Sequence, residues 1–88
     1  MPYITKKDRI KFETSLSKIL QSYIQEPFTT GELNYLITKI IHMYIEEKGL
    51  KYEYINDVIG VLECAKTEFE RRVVGPYEEK KIKENGDI

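Results

Sequence analysis

The hydrophobic residues recur in three segments at the three- and four-residue spacing of amphipathic helices. In the first segment, residues 13–25, the apolar positions fall within a sector of about 140° of a helical wheel, which predicts a helix with one buried side. Glu26-Pro27 ends this helix, because proline donates no backbone hydrogen bond and disfavours helical geometry in the residue before it. The start stays open: Thr5 could cap a helix from Lys6, or the helix could begin at Glu13 or Thr14 after a short turn.

The second segment, residues 30–48, has a clear start and end. Thr29 and Glu32 stand at the spacing of a capping box, and Gly49 suits the left-handed conformation of a helix C-cap. The apolar positions span roughly 200° of the wheel, which is wider than one packing partner requires. We therefore expect the second helix to be the central one.

The third segment, residues 52–74, again carries an apolar sector, of about 160°. Gly75-Pro76 predicts a break or a kink, and a short charged helix is expected over residues 77–84. No period-two alternation long enough for a strand is present in the sequence. The expected fold is all-α: one domain over residues 1–88, a three-helix bundle with helix 2 at its centre and a short C-terminal helical extension.

Composition removes several classes of function. The 88 residues include 14 Lys or Arg and 15 Asp or Glu, with a formal net charge of −1 and no strong field of a single sign. This balance argues against nucleic acid and membrane surfaces as partners, since both need clustered basic residues. A single Cys excludes an internal disulfide, and no apolar run approaches the about 20 residues that span a bilayer. We expect a cytoplasmic protein with no cofactor.

Enzymatic alternatives find little support in the residues. A di-iron bundle needs two His, and the chain has only His42, so no metal site is expected. The glutamates do not form the paired helical motifs that hold Mg²⁺, and Cys64 lies beside Glu63, which would disfavour a thiolate. The remaining enzymatic hypothesis is a small enzyme or nucleotide-binding protein. Its site would be assembled across subunits from five residues, Glu63, Arg71, Arg72, Tyr35 and His42.

Two surface features point instead to protein binding. Gly60 lies in mid-helix on the side opposite the predicted core face, where glycine costs about 0.8–1 kcal/mol relative to alanine. With Cys64 and Thr67 it forms a side of small residues that a second helix could approach, most simply in a two-fold homodimer. The alternative is a tolerated glycine.

The second feature is a polar-aromatic strip on helix 2, formed by Tyr35, Lys39, His42 and Glu46. Tyrosine suits a binding surface because it combines a large apolar body with a polar tip. The alternative is an ordinary exposed face, with Tyr35 partly covered by the loop that carries Pro27 and Phe28.

Several short blocks carry a family resemblance. They are Met1-Pro2-Tyr3-Ile4, Gly31-Glu32-Leu33-Asn34-Tyr35, Leu62-Glu63-Cys64-Ala65-Lys66, Arg71-Arg72-Val73-Val74 and Pro76-Tyr77-Glu78. In these blocks the chain resembles a small uncharacterised family of bacterial, archaeal and phage proteins of similar length. The resemblance implies a phage or mobile-element origin, and a phage or host protein as a partner. It implies no activity and assigns no role to any residue.

Overall fold

A computed structural model describes residues 4–88, and every regular element within that range is helical. Residues 1–3, which belong to the first block of the family resemblance, lie outside the described part. The chain divides into two compact units, and the boundary falls between Lys51 and Tyr52. The all-α class predicted from the sequence is confirmed for residues 4–88.

The first unit begins with two α-helices joined by a 3₁₀ turn. Helix α1 is Lys6–Arg9, a 3₁₀ turn follows over Ile10–Phe12, and α2 is Glu13–Gln25. The Thr5 hydroxyl accepts a hydrogen bond from the backbone N–H of Asp8 at 3.2 Å, which caps α1. Both starts considered from the sequence therefore occur. At the other end of α2, Glu26 takes an extended conformation (φ −147°) before Pro27.

Helix α3, Thr30–Lys48, starts with the capping box that the sequence predicts. The Thr29 hydroxyl accepts from the backbone N–H of Glu32 at 3.1 Å, and the Glu32 carboxylate accepts from the backbone N–H of Thr29 at 2.9 Å. The helix ends at Gly49, whose φ of 104° is accessible to glycine at little cost. Helices α2 and α3 approach each other beside the turn that joins them, and no extensive pairing along their lengths exists in residues 4–51.

The second unit is helical from residue 52 to residue 85. Helix α4, Tyr52–Phe69, passes into a π-helical turn, Glu70–Val74, and then into α5, Gly75–Asn85. Of the break or kink expected at Gly75-Pro76, the break does not occur, since both residues are helical. The backbone N–H of Gly75 bonds to the carbonyl of Glu70, five residues back. This wider turn lies directly before Pro76, where the proline ring would crowd the carbonyls of a regular α-helix.

The apolar faces of these helices are uncovered within each unit. No described residue is buried, and side chains assigned to core faces are well exposed: Leu16 at 61%, Ile40 at 60% and Ile59 at 60%. The three-helix bundle arrangement is therefore not confirmed. In residues 4–88, no helix combines the length and the apolar character required to cross a bilayer.

Candidate interaction surfaces

The turn between α2 and α3 is held by an aromatic contact. Phe28 is half-buried, and its ring packs edge to face against Tyr23 in the last two turns of α2, with centroids 5.2 Å apart. The capping box at Thr29 follows immediately. The backbone from α2 into α3 is thus fixed by contacts between residues close in sequence.

A shallow hollow opens beside this turn. Its volume is about 220 Å³, and it is lined by Ile19, Ser22, Phe28, Glu32, Tyr35 and Leu36. Pockets that enclose drug-sized molecules typically have about 300–1,000 Å³, so this hollow is smaller than most of them.

The polar-aromatic strip of α3 is exposed along its length. Tyr35 is 62% exposed at one end of the strip, where it also lines the hollow beside Phe28. Lys39, His42 and Glu46 are exposed as well, and no ion pair joins His42 to Glu46 in the described structure. The strip therefore presents exposed polar groups, and His42 and Glu46 do not engage each other.

Apart from the polar-aromatic strip, α2 and α3 each expose an apolar face. The apolar face of α2 is defined by Leu16, Leu20 and Ile24, and the apolar face of α3 by Leu33, Ile40 and Met43. Each of these six side chains is more than half exposed. Residues three or four apart lie on one side of a helix, so each set forms a continuous surface. Exposed apolar surface on this scale typically marks a site of protein association.

The small-residue side of α4 is open. A Cβ added to Gly60 would meet no atom within 4 Å, and Cys64 and Thr67 are exposed. The position of Gly60 therefore has open space for a larger side chain. The two-fold contact at this side stays a prediction.

A charged cluster marks the junction of α4 and the π turn. The carboxylate of Glu68 accepts a hydrogen bond from Arg71 at 2.8 Å and a second from Arg72. Only 21% of the Glu68 side chain is exposed, whereas both arginines are more than half exposed. The sequence reasoning assigned no role to Glu68, although its acid-to-base spacings of three and four residues are the signal that predicts such pairs on a helix.

The residues of the enzymatic hypothesis do not come together as one site in either unit. Tyr35 and His42 belong to the first unit, whereas Glu63, Arg71 and Arg72 belong to the second, where both arginines are engaged by Glu68. Within residues 4–88, no three side chains of His, Cys, Asp or Glu are grouped so that they could hold a metal ion.

Comparisons with known proteins give the chain a family and no activity. No curated protein matches it, and no solved structure does. A family model described as a domain of unknown function matches residues 1–88. The chain belongs to the family of the domain of unknown function DUF6899.

Proposed function

We propose that the protein is a non-enzymatic protein–protein interaction module that works in the cytoplasm. One observation carries this proposal: the chain forms amphipathic helices whose apolar faces are exposed rather than packed within the chain. The phage or mobile-element origin implied by the resemblance would make a phage or host protein a suitable partner besides a second copy of the chain.

Helices of this length depend on packing for their stability. Isolated helices of about 12–15 residues are marginal in water, and most helical stability in proteins comes from packing an apolar face. Helices α2 and α3 have 13 and 19 residues, and their apolar faces are uncovered in the described structure. Covering one Leu or Ile side chain contributes about 1.5–3 kcal/mol, so a partner that packs on these faces stabilises the helices themselves.

In this proposal, the polar-aromatic strip and the hollow form the rim of the interface whose centre is the apolar faces of α2 and α3. Interfaces combine an apolar centre with a polar edge, and Tyr is enriched among the residues that contribute most to binding. Tyr35 is exposed and lies at the hollow, so in this proposal its ring and a partner side chain share that space. Lys39, His42 and Glu46 supply polar contacts farther along α3.

The proposal is tested on the apolar face of α3 with the variant Ile40→Ser and the matched control Thr38→Ser. If the face is free, wild type binds a hydrophobic dye such as ANS, and Ile40→Ser reduces that binding. If the face is covered by another copy, Ile40→Ser lowers the free energy of unfolding by about 1.5–3 kcal/mol. The control should change neither quantity.

A different pattern would contradict the proposal. Ordinary surface substitutions change stability by within about 0.5 kcal/mol. A wild-type chain that binds no dye, together with an Ile40→Ser variant in this narrow range, would mean that the α3 face takes part in no association.

A further inference from the structure

The second unit presents one long helical rod. Its helical residues run from 52 to 85 without a non-helical residue, a length of about 50 Å at the rise of an α-helix. Helices in globular domains average about three turns, so this helix is about three times the usual length. This rod is the longest helical surface in the described chain.

An apolar row follows the rod across the π turn. It consists of Leu62, Phe69, Val73 and Tyr77, which are 41%, 59%, 51% and 59% exposed. Their separations of seven, four and four residues keep them on one side of the helix. The π turn, Glu70–Val74, lies between Phe69 and Tyr77, and its wider winding brings Tyr77 back toward the side of Phe69.

Charge is distributed unequally along the rod. Residues 52–65 contain three acidic side chains and no basic one, whereas residues 66–85 contain six basic and five acidic side chains. The helix macrodipole favours acids in the first turn and bases in the last turn, and its influence falls off within those turns. Lys66, Arg71 and Arg72 lie in the middle of the rod, beyond the reach of the dipole, and each pairs with an acid of its own helix: Lys66 with Glu70, and both arginines with Glu68.

We infer that the apolar row of Leu62, Phe69, Val73 and Tyr77 is covered by the same row of a second copy of this chain, lying antiparallel about a two-fold axis near residue 68. The charge distribution selects this occupant and this direction. An antiparallel pair places the wholly acidic residues 52–65 of each copy beside residues 71–84 of the other, which hold five basic and three acidic side chains, and the symmetry makes the contact twice. A parallel pair would place acidic segment beside acidic segment.

This inference rests on the proposed function and deepens it by naming the partner. The formal charge of −1 per chain adds little repulsion between two copies. The apolar row lies on the side of the helix opposite Thr67, so the row and the small-residue side can be tested separately.

The first test measures the mass of the full chain by light scattering over a dilution series. Wild type should show twice its 10.4 kDa at high concentration and dissociate on dilution. The variant Phe69→Glu should weaken self-association at least tenfold, because it removes a large apolar group from the pair and adds a charge. Thr67→Glu, which adds the same charge on the opposite side, should leave the dissociation constant within about twofold.

The second test determines direction by pulsed electron-spin measurements between nitroxide labels. Single labels are placed at Lys83→Cys or at Thr67→Cys, each in a Cys64→Ser background. An antiparallel pair should give about 45 Å between labels at position 83, from the helical rise on either side of the axis, and a short distance of about 20–25 Å at position 67. A parallel pair would give short distances at both positions.

Three results would overturn the inference: a monomeric wild type at all concentrations, short distances at position 83, or dissociation by Thr67→Glu but not by Phe69→Glu. A monomeric wild type that still binds dye through Ile40 would leave the proposed function standing with another protein as partner. Retained helicity in circular dichroism distinguishes a dissociated Phe69→Glu variant from an unfolded one. If that variant unfolds, the label distances at positions 83 and 67, measured in chains that keep the apolar row, decide whether the antiparallel pair forms.

Discussion

Tyr23 meets Phe28 edge on, with their ring planes at 88°. This contact joins the end of α2 to the loop that begins α3, across Glu26-Pro27, where the helix cannot continue. The direction of the chain as it enters α3 is therefore set by two aromatic rings and a capping box. The hollow lined by Tyr35 exists because Phe28 is held in this position.

Removing the Phe28 ring should loosen this turn. An edge-to-face aromatic pair contributes about 0.5–1.5 kcal/mol beyond the apolar area it covers, so Phe28→Ala should lower the free energy of unfolding by at least that amount. Phe28→Leu keeps apolar bulk and should recover part of the loss. Urea titration followed by circular dichroism measures both, and equal stability of all three proteins would mean that the ring contact contributes nothing.

The capping box should contribute separately. Thr29→Ala removes the hydroxyl that accepts from Glu32, and the expected loss is about 1 kcal/mol of unfolding free energy. Thr29→Ser retains an acceptor at the same place and should restore most of it. Thr30→Ala, one residue farther on, serves as the control because no side-chain hydrogen bond of Thr30 exists in the described structure. An equal loss in the control would contradict a specific capping role.

Glycine-to-alanine substitutions at two positions should change the free energy of unfolding in opposite directions. Gly49 has a φ of 104°, a conformation that strains alanine, so Gly49→Ala should destabilise the protein by about 1 kcal/mol or more. Gly60 is helical and has open space around its Cβ position, so Gly60→Ala should stabilise by up to about 1 kcal/mol.

Thermal unfolding of the two glycine variants provides the comparison. A destabilising Gly60→Ala would indicate that another chain approaches this side too closely for a methyl group. That outcome would favour the small-residue contact over the apolar row as the interface.

The Glu68 cluster should give a salt-dependent contribution. Glu68→Gln removes the charge that engages Arg71 and Arg72, and the expected loss is about 0.5–1 kcal/mol because both arginines are largely exposed. The difference from wild type should shrink between low salt and 1 M NaCl, where the screening length is about 3 Å. The matched control is Glu70→Gln, whose longer 3.7 Å pair with Lys66 should matter less. A loss that is the same at both salt concentrations would argue against an electrostatic origin.

Sequence reasoning succeeded where the cause of a feature is local. The cap at Thr29, the end of α2 before Pro27 and the glycine after α3 each depend on groups three to five residues apart, so the spacing of residue types was sufficient to predict them. The π turn at 70–74 escaped prediction because Gly75-Pro76 is also the usual signal of a helix end. A helix can accommodate Gly-Pro in two ways: it can end there, or it can continue after a wider, π-helical turn.

The sequence by itself determined that the chain is helical, where most of its helices end and which side of each helix is apolar. Only the tertiary structure decided that those apolar sides stay uncovered within each unit, that the helix continues through Pro76 and that Glu68 joins two arginines. The physical reason is distance along the chain. Caps and wheel positions are set by near neighbours, whereas the covering of an apolar face depends on what remote segments, or another molecule, bring to it.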